Sequence, residues 1–336
     1  MSDAALPLPG RAPVPASRGK QWEASAALVV AAFFFGTSFV VVQDAIESAE
    51  PVAFLGVRFL IAAAVLGVVA RRRKGTPKEA RHGVVAGLTL LAGYVLQTIG
   101  LQYTTPATSA FVTYLLVPVV PVLAFVFQRQ RPHPATLAAI ALALCGLVLL
   151  TSNGEGGPSL GKGEMLTLGC AVMFATHILI LGEIAQRHDP VRLTFVQLTT
   201  VGSVCAGWCV VTGDGSSLAI GDAIWAAIFT GVFATAISFL AMVWAQQVVS
   251  PSRAALILLM EPVFAAFLGR LTGDSLTWMQ ACGGALILLA VIVSEVVPKL
   301  LTPRSRSVRL EIQQQRRGTD GRSEEAESTV RPVGPP

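Results

Sequence analysis

At 336 residues, with 53% hydrophobic and only 13% charged side chains, the chain is too apolar for a soluble globular protein, which carries about 25% charge. A mean hydropathy of +0.64 points instead to an integral membrane protein. The net charge of +5 does not imply nucleic acid, because the basic residues fall mostly in loops on one side. The five cysteines, scattered through apolar segments, suit small core residues rather than a disulfide framework.

Residues 1–24 lack the apolar core of a cleavable signal and read as a disordered cytoplasmic N-terminus. Ten apolar spans follow, at about 25–43, 52–70, 83–101, 107–127, 135–152, 164–182, 191–212, 222–245, 252–272 and 276–297, each near the ~20 residues that cross a bilayer. The fourth and fifth are separated only by QRQRPHP, the eighth and ninth only by QQVVSP. Residues 298–336 form a charged tail expected to be disordered. The expected fold class is therefore all-α integral membrane with ten transmembrane helices.

Of the 25 Lys and Arg, all but Arg58, Lys162 and Arg270 fall in the N-terminus, the alternate loops or the tail. This predicts that both termini are cytoplasmic. The five tryptophans (Trp22, Trp208, Trp225, Trp244, Trp278) map near span ends, as an aromatic belt requires.

An ungapped alignment of Gln102 with Gln246 sets LQYTTPATSAFVTYLLVPV against AQQVVSPSRAALILLMEPV. Pro118-Val119 meets Pro262-Val263, and each half (25–152 and 164–297) holds five spans. An odd number makes the second half enter from the opposite side, so the spacing predicts two inverted five-helix repeats, the architecture of alternating-access carriers.

Glu261 lies near the middle of the ninth span, next to Pro262. A carboxylate at bilayer depth costs roughly 2.5–3.5 kcal/mol even on lenient scales, so it should face protein or water. Its alternative role is to bond backbone freed by Pro262. Pro118, Pro121 and Pro262 are expected to kink their helices. Arg58, seven residues into the second span, is a fixed charge for an anionic group or a partner to Glu261; equally, it snorkels outward or pairs with Glu50. Tyr94, Gln97 and Thr98 form a polar i, i+3, i+4 stripe in the third span, and Thr113 and Tyr114, then Thr37 and Ser38, are further pathway candidates. His177 is a proton-relay candidate, although a single interhelical bond explains it more simply.

GGPSLGKG at 156–163 nearly spells a phosphate-binding loop, but it lacks a hydroxyl after Lys162 and a preceding strand. Cys205 and Cys209 share a helix face without a third ligand, so no metal site is expected, nor any cofactor. No nucleophile has a plausible base beside it, so the chain is not read as an enzyme.

Five stretches stand out together in this order: Phe35-Gly36-Thr37-Ser38-Phe39, Pro51 to Phe59, Gly100 to Thr105, Ser250 to Ala255 and Glu261-Pro262-Val263. In them the chain resembles the EamA-type members of the drug/metabolite transporter (DMT) superfamily. The pattern departs where the family often has Leu-Gly-Glu, here Gln-Arg-Gln and Leu-Thr-Gly-Asp274, and where Phe35 replaces the usual tryptophan. The resemblance implies a secondary carrier in the bacterial inner membrane that exports small metabolites, amino acids or drug-like compounds. The expected partners are the lipid bilayer and a small-molecule substrate, with a proton as candidate coupling ion and a homodimer as candidate assembly; nucleic acid is not expected. A membrane-embedded enzyme or sensor is the alternative, and a channel is disfavoured because no filter segment is visible.

Overall fold

The computed structural model describes residues 18–128, 134–150, 160–213, 215–249, 257–258, 260–273 and 276–301. In chain order the helices are α1 (Arg18–Ala45), α2 (Pro51–Ala70), α3 (Pro77–Gly100), α4 (Pro106–Thr113), α5 (Leu116–Gln128), α6 (Pro134–Leu150), α7 (Lys162–Ile184) and α8 (Pro190–Val211). Then come α9 (Ile224–Phe229), a π-helical segment (Thr230–Ile237), α10 (Ser238–Val248), α11 (Met260–Leu271) and α12 (Trp278–Leu301). The described residues contain no strand. Met1–Glu295 forms one unit; Val296–Pro336 forms a second, of which the end of α12 is described.

Four helices begin with the same device. Glu50, Thr76, Thr105 and Asp189 each accept a hydrogen bond from the backbone N–H three residues on, and a proline occupies the first helical position. The cap supplies an acceptor for an orphan donor, and the proline fixes φ without wasting an N–H. Glu50 is thereby committed to Ala53 N, at 2.5 Å.

Among the described residues, six helical stretches are long and apolar enough to cross a membrane, and Pro106–Val120, Leu137–Leu150 and Trp278–Ala290 are shorter apolar helices. The chain is thus an all-helical, multi-pass membrane protein. Helix α1 starts at Arg18, ahead of the expected residue 25, and α12 runs past Val297. The fourth span is broken at Tyr114-Leu115, where Pro118 cannot reach back to the Tyr114 carbonyl. Pro121 lies inside α5, which continues through it. Residues 1–17, the link at 129–133, the near-phosphate-loop residues up to Ser159, the ninth span's start at 252–256 and the tail from 302 lie outside the described residues.

Packing depends on close backbone approach, since lipid offers no drive to bury apolar side chains. Helix α2 packs along α8, where a Cβ at Gly202 would stand 2.8 Å from the Leu60 nitrogen. Helix α3 packs on α7 and α8, while α1 lies against α10 and α11. Outward-facing Val68, Val211 and Trp225 leave an apolar exterior suited to lipid.

At the end carrying the α2–α3 and α7–α8 loops, charges tie the two loops together. Arg73 pairs with Asp189 at 2.5 Å and Arg192 with Glu79 at 2.9 Å. Arg192 also donates to the Arg73 carbonyl at 3.2 Å, and His82 Nδ1 lies 2.8 Å from His188 Nε2. The Glu79 side chain is only 6% exposed, so removing its cation leaves a carboxylate with little water. Arg192→Met should destabilise the protein by about 2 kcal/mol, less than a fully buried pair because Arg192 stays partly exposed. Lys78→Met should stay within about 0.5 kcal/mol of the parent. Thermal unfolding in detergent checks both, and equal melting of the two variants would remove the clamp as a stabilising element.

Candidate functional site

A cavity of about 110 Å³, room for a small cluster of waters, lies where α1, α3, α4, α5, α7, α10 and α11 meet. Its geometry starts from two prolines. Pro262 has no N–H to return to the Leu258 carbonyl, four residues back. Pro118 denies the Tyr114 carbonyl in the same way, and that oxygen takes the Val117 N–H instead, at 3.1 Å. The resulting break between α4 and α5 places Tyr114 beside the freed carbonyl of the other segment. Tyr114 donates its hydroxyl hydrogen to Leu258 O, and the same hydroxyl lies 3.1 Å from Glu261 Oε2. Tyr114 and Leu258 are 144 residues apart, the offset that aligns Gln102 with Gln246. Each therefore sits four residues before its matched proline.

Helix α1 approaches this point closely. A Cβ at Gly36 would lie 2.6 Å from the Glu261 carbonyl oxygen and 2.8 Å from Phe264 Cβ, so only glycine lets α1 sit there.

Four sides of the cavity come from helical faces. Helix α3 presents Leu90, Tyr94 and Gln97, at i, i+4 and i+7. The Gln97 side-chain nitrogen donates to Thr113 Oγ1 at 3.2 Å, and Thr113 donates to the Ser109 carbonyl at 2.8 Å. Helix α7 presents Phe174, His177 and Ile178; α1 presents Phe35, Ser38 and Phe39; and α10 presents Phe239 and Met242. The Tyr94 ring meets Phe59 and Phe174 edge-on, with centroids 4.9 and 5.2 Å away. The result is an aromatic chamber with one carboxylate, Glu261, among its lining residues.

The sequence candidates divide. Glu261, Tyr94, Gln97, Thr113, Tyr114, His177 and Ser38 line the cavity. Ser38 nonetheless donates to the Phe35 carbonyl at 2.7 Å, and Thr37, off the cavity, does the same to Phe33 at 2.7 Å. Thr98 is buried away from it. His177 Nδ1 lies 3.0 Å from the Ala86 carbonyl, which can only accept, so Nδ1 carries the hydrogen and Nε2 is a buried atom without a partner. That bond joins α7 to α3.

Arg58 neither snorkels nor pairs with Glu50 or Glu261. It is 2% exposed, its Nε donates to Thr235 Oγ1 at 2.8 Å, and its guanidinium lies 5.3 Å from the Tyr94 ring centre. One terminal nitrogen has no partner. Thr235 stands in the π-helical segment, whose wider turn lets Thr235 and Ser238 donate to carbonyls five residues back. Stacking on two rings and one hydroxyl bond replaces the counter-ion expected for a buried cation.

The aromatic walls and the π-helical segment escaped sequence reasoning. Apolar residues inside apolar spans carry no contrast.

The chain matches the EamA-like transporter family over residues 22–152 and again over 161–295. An uncharacterized transporter of Archaeoglobus fulgidus is 30% identical over 275 residues, covering 82% of this chain and 86% of that protein. The uncharacterized transporter YwfM of Bacillus subtilis is 26% identical, covering 81% and 93%. A crystal structure of a protein 19% identical superposes with a TM-score of 0.61 over 84% of this chain and 99% of the other, a likeness of fold.

Gly36→Ala should cost about 1–3 kcal/mol, because the new methyl overlaps the Glu261 backbone. Gly182→Ala, with nothing within 4 Å of its added Cβ, should lie within about 0.5 kcal/mol of the parent. Equal melting temperatures for the two variants in detergent would refute the tight α1–α11 contact.

Proposed function

The chain belongs to the EamA-like transporter family, and from that membership we propose that it is a proton-coupled secondary carrier exporting small amphipathic metabolites, amino acids or drug-like compounds across the plasma membrane by alternating access. The observation that carries the reading is the cavity itself: a chamber of aromatic and aliphatic walls within the spans, holding Glu261 as its one carboxylate. Apolar walls accept an amphipathic solute, and a single carboxylate is the least machinery that can take up and release a proton at that depth. Gln97, Ser38 and Tyr94 offer polar groups to orient the solute.

Two inverted repeats, 25–152 and 164–297, fit the double family match and the paired prolines. The basic loops favour cytoplasmic termini in a bacterial inner membrane. Arg58, buried with an unpartnered nitrogen next to Tyr94, is suited to an anionic group of the solute once the Tyr94 ring turns aside. The names of the family and of the relatives speak for transport over a membrane-embedded enzyme or sensor.

The test is flux. The purified protein in liposomes, given a panel of labelled amino acids and amphipathic metabolites, should move at least one faster under a pH gradient than without. Glu261→Gln should bring that flux down to the passive leak. Absence of flux for every compound under both conditions would remove the carrier reading; normal gradient-driven flux in Glu261→Gln would remove only the coupling role of the carboxylate.

A further inference from the structure

The Tyr114 hydroxyl has one hydrogen and two claimants. Leu258 O, a carbonyl, can only accept, and proline at residue 262 denies it the N–H that an unbroken helix would supply four residues on. Glu261 Oε2, 3.1 Å from the same hydroxyl, also only accepts when the side chain is a carboxylate. As a carboxylic acid, Glu261 brings a hydrogen of its own. The chain acid to phenol to carbonyl is then complete: Glu261 donates to Tyr114, Tyr114 donates to Leu258, and each of the three groups has a partner. As a carboxylate, Glu261 and Leu258 compete for one hydrogen. Bonds to an ionised acceptor are roughly twice as strong as neutral ones, so the carboxylate takes it.

We propose that Tyr114 is the positioning residue that couples the proton on Glu261 to the junction of the two chain halves, its hydroxyl holding the Leu258 carbonyl when Glu261 is an acid and abandoning it when Glu261 is a carboxylate. The proposal rests on Glu261 being the proton-carrying group of the proposed carrier. The proton leaves Glu261 for water or solute in the cavity; Tyr114 keeps its own hydrogen and only turns it. The Leu258 carbonyl, on a partly buried residue that lines the cavity, then loses its Tyr114 donor, which loosens its segment by the worth of one hydrogen bond. Because Tyr114 and Leu258 each precede a matched proline by four residues, the bond lost is one between corresponding points of the two halves.

Other titratable groups surround the carboxylate without competing for it. Tyr94 from α3 and His177 from α7 share the cavity, and Cys170 is buried on α7. Arg58 is held by Thr235 and the Tyr94 ring. Among the described residues only Tyr114 hydrogen-bonds the Glu261 carboxyl.

Two measurements on the full-length protein in lipid nanodiscs test this. Infrared difference spectra between acid and alkaline buffer should show a carboxylic acid band that vanishes in Glu261→Gln and moves to the higher frequency of an unbonded acid in Tyr114→Phe. Amide exchange over residues 257–271, corrected for the intrinsic effect of pH, should become roughly fivefold faster in the parent when that band disappears, the size of one lost hydrogen bond. Glu261→Gln, whose amide can donate to Tyr114, should exchange slowly in both buffers. Tyr114→Phe should exchange fast in both. Pro262→Ala, which returns an N–H to the Leu258 carbonyl, should be slow in both. A fivefold step retained in Tyr114→Phe or in Pro262→Ala overturns the proposal, as does an acid band in the parent with no step in exchange. Absence of the acid band in the parent defeats the reading of Glu261 as the proton carrier and takes the proposal with it.

Discussion

Inside a bilayer the backbone has no water to bond, so each N–H and C=O must find its partner within the protein. Two prolines at matched points of the chain work against that constraint, and the centre of the structure follows from how their freed carbonyls are satisfied. At Pro118 the chain tightens locally, Val117 reaching back to Tyr114, and the helix breaks. At Pro262 the carbonyl of Leu258 is satisfied from the other half, by the hydroxyl of the tyrosine that the first break exposed. One defect thus supplies the remedy for the other, and Glu261 stands at the point where they meet.

Charge is distributed by the same logic. Arg58, buried, and Glu261, partly buried on the cavity wall, both lie within the spans, yet they do not pair: the guanidinium rests on Tyr94 and Thr235, the carboxyl on Tyr114. Rings and hydroxyls stand in for counter-ions, which leaves each charge open to a new partner. The ion pairs found among the described residues, Arg73 with Asp189 and Arg192 with Glu79, lie at the loop end, where water is near. A pair that holds loops together can afford to be closed. A charge that must meet a transient partner cannot.

Much of this was legible in the residues. Glu261 stood out because a carboxylate is expensive in an apolar segment, and Tyr94 and Gln97 because polar side chains at helical spacing mark a face. Thr98 shares that spacing but lies off the cavity, because periodicity says that residues share a face, not which neighbour that face meets; the Thr37 hydroxyl is turned to its own backbone. Arg58 was visible as an anomaly, but its partners came from residues 177 positions away and from an aromatic ring, neither of which a local reading can find. The walls of Phe35, Phe174 and Phe239 were indistinguishable from lipid-facing phenylalanines, because spans that are apolar all round have no side to detect. The six helices long enough to cross among the described residues were predictable by length; the shortened fourth followed from Pro118 once the break was seen.

The segment Thr230–Ile237 winds more widely than an α-helix, and such a widening accommodates an extra residue. One residue of α-helix subtends about 100°, so all that follows, Phe239 and Met242 included, is turned by that angle relative to an unbroken helix. The orientation of that cavity wall therefore depends on the wider winding of Thr230–Ile237. A relative lacking that residue would align with a one-position gap here, and would present a different set of α10 side chains to whatever occupies the chamber. Selectivity in such a family can drift by the phase of a helix, without a single substitution among the lining residues.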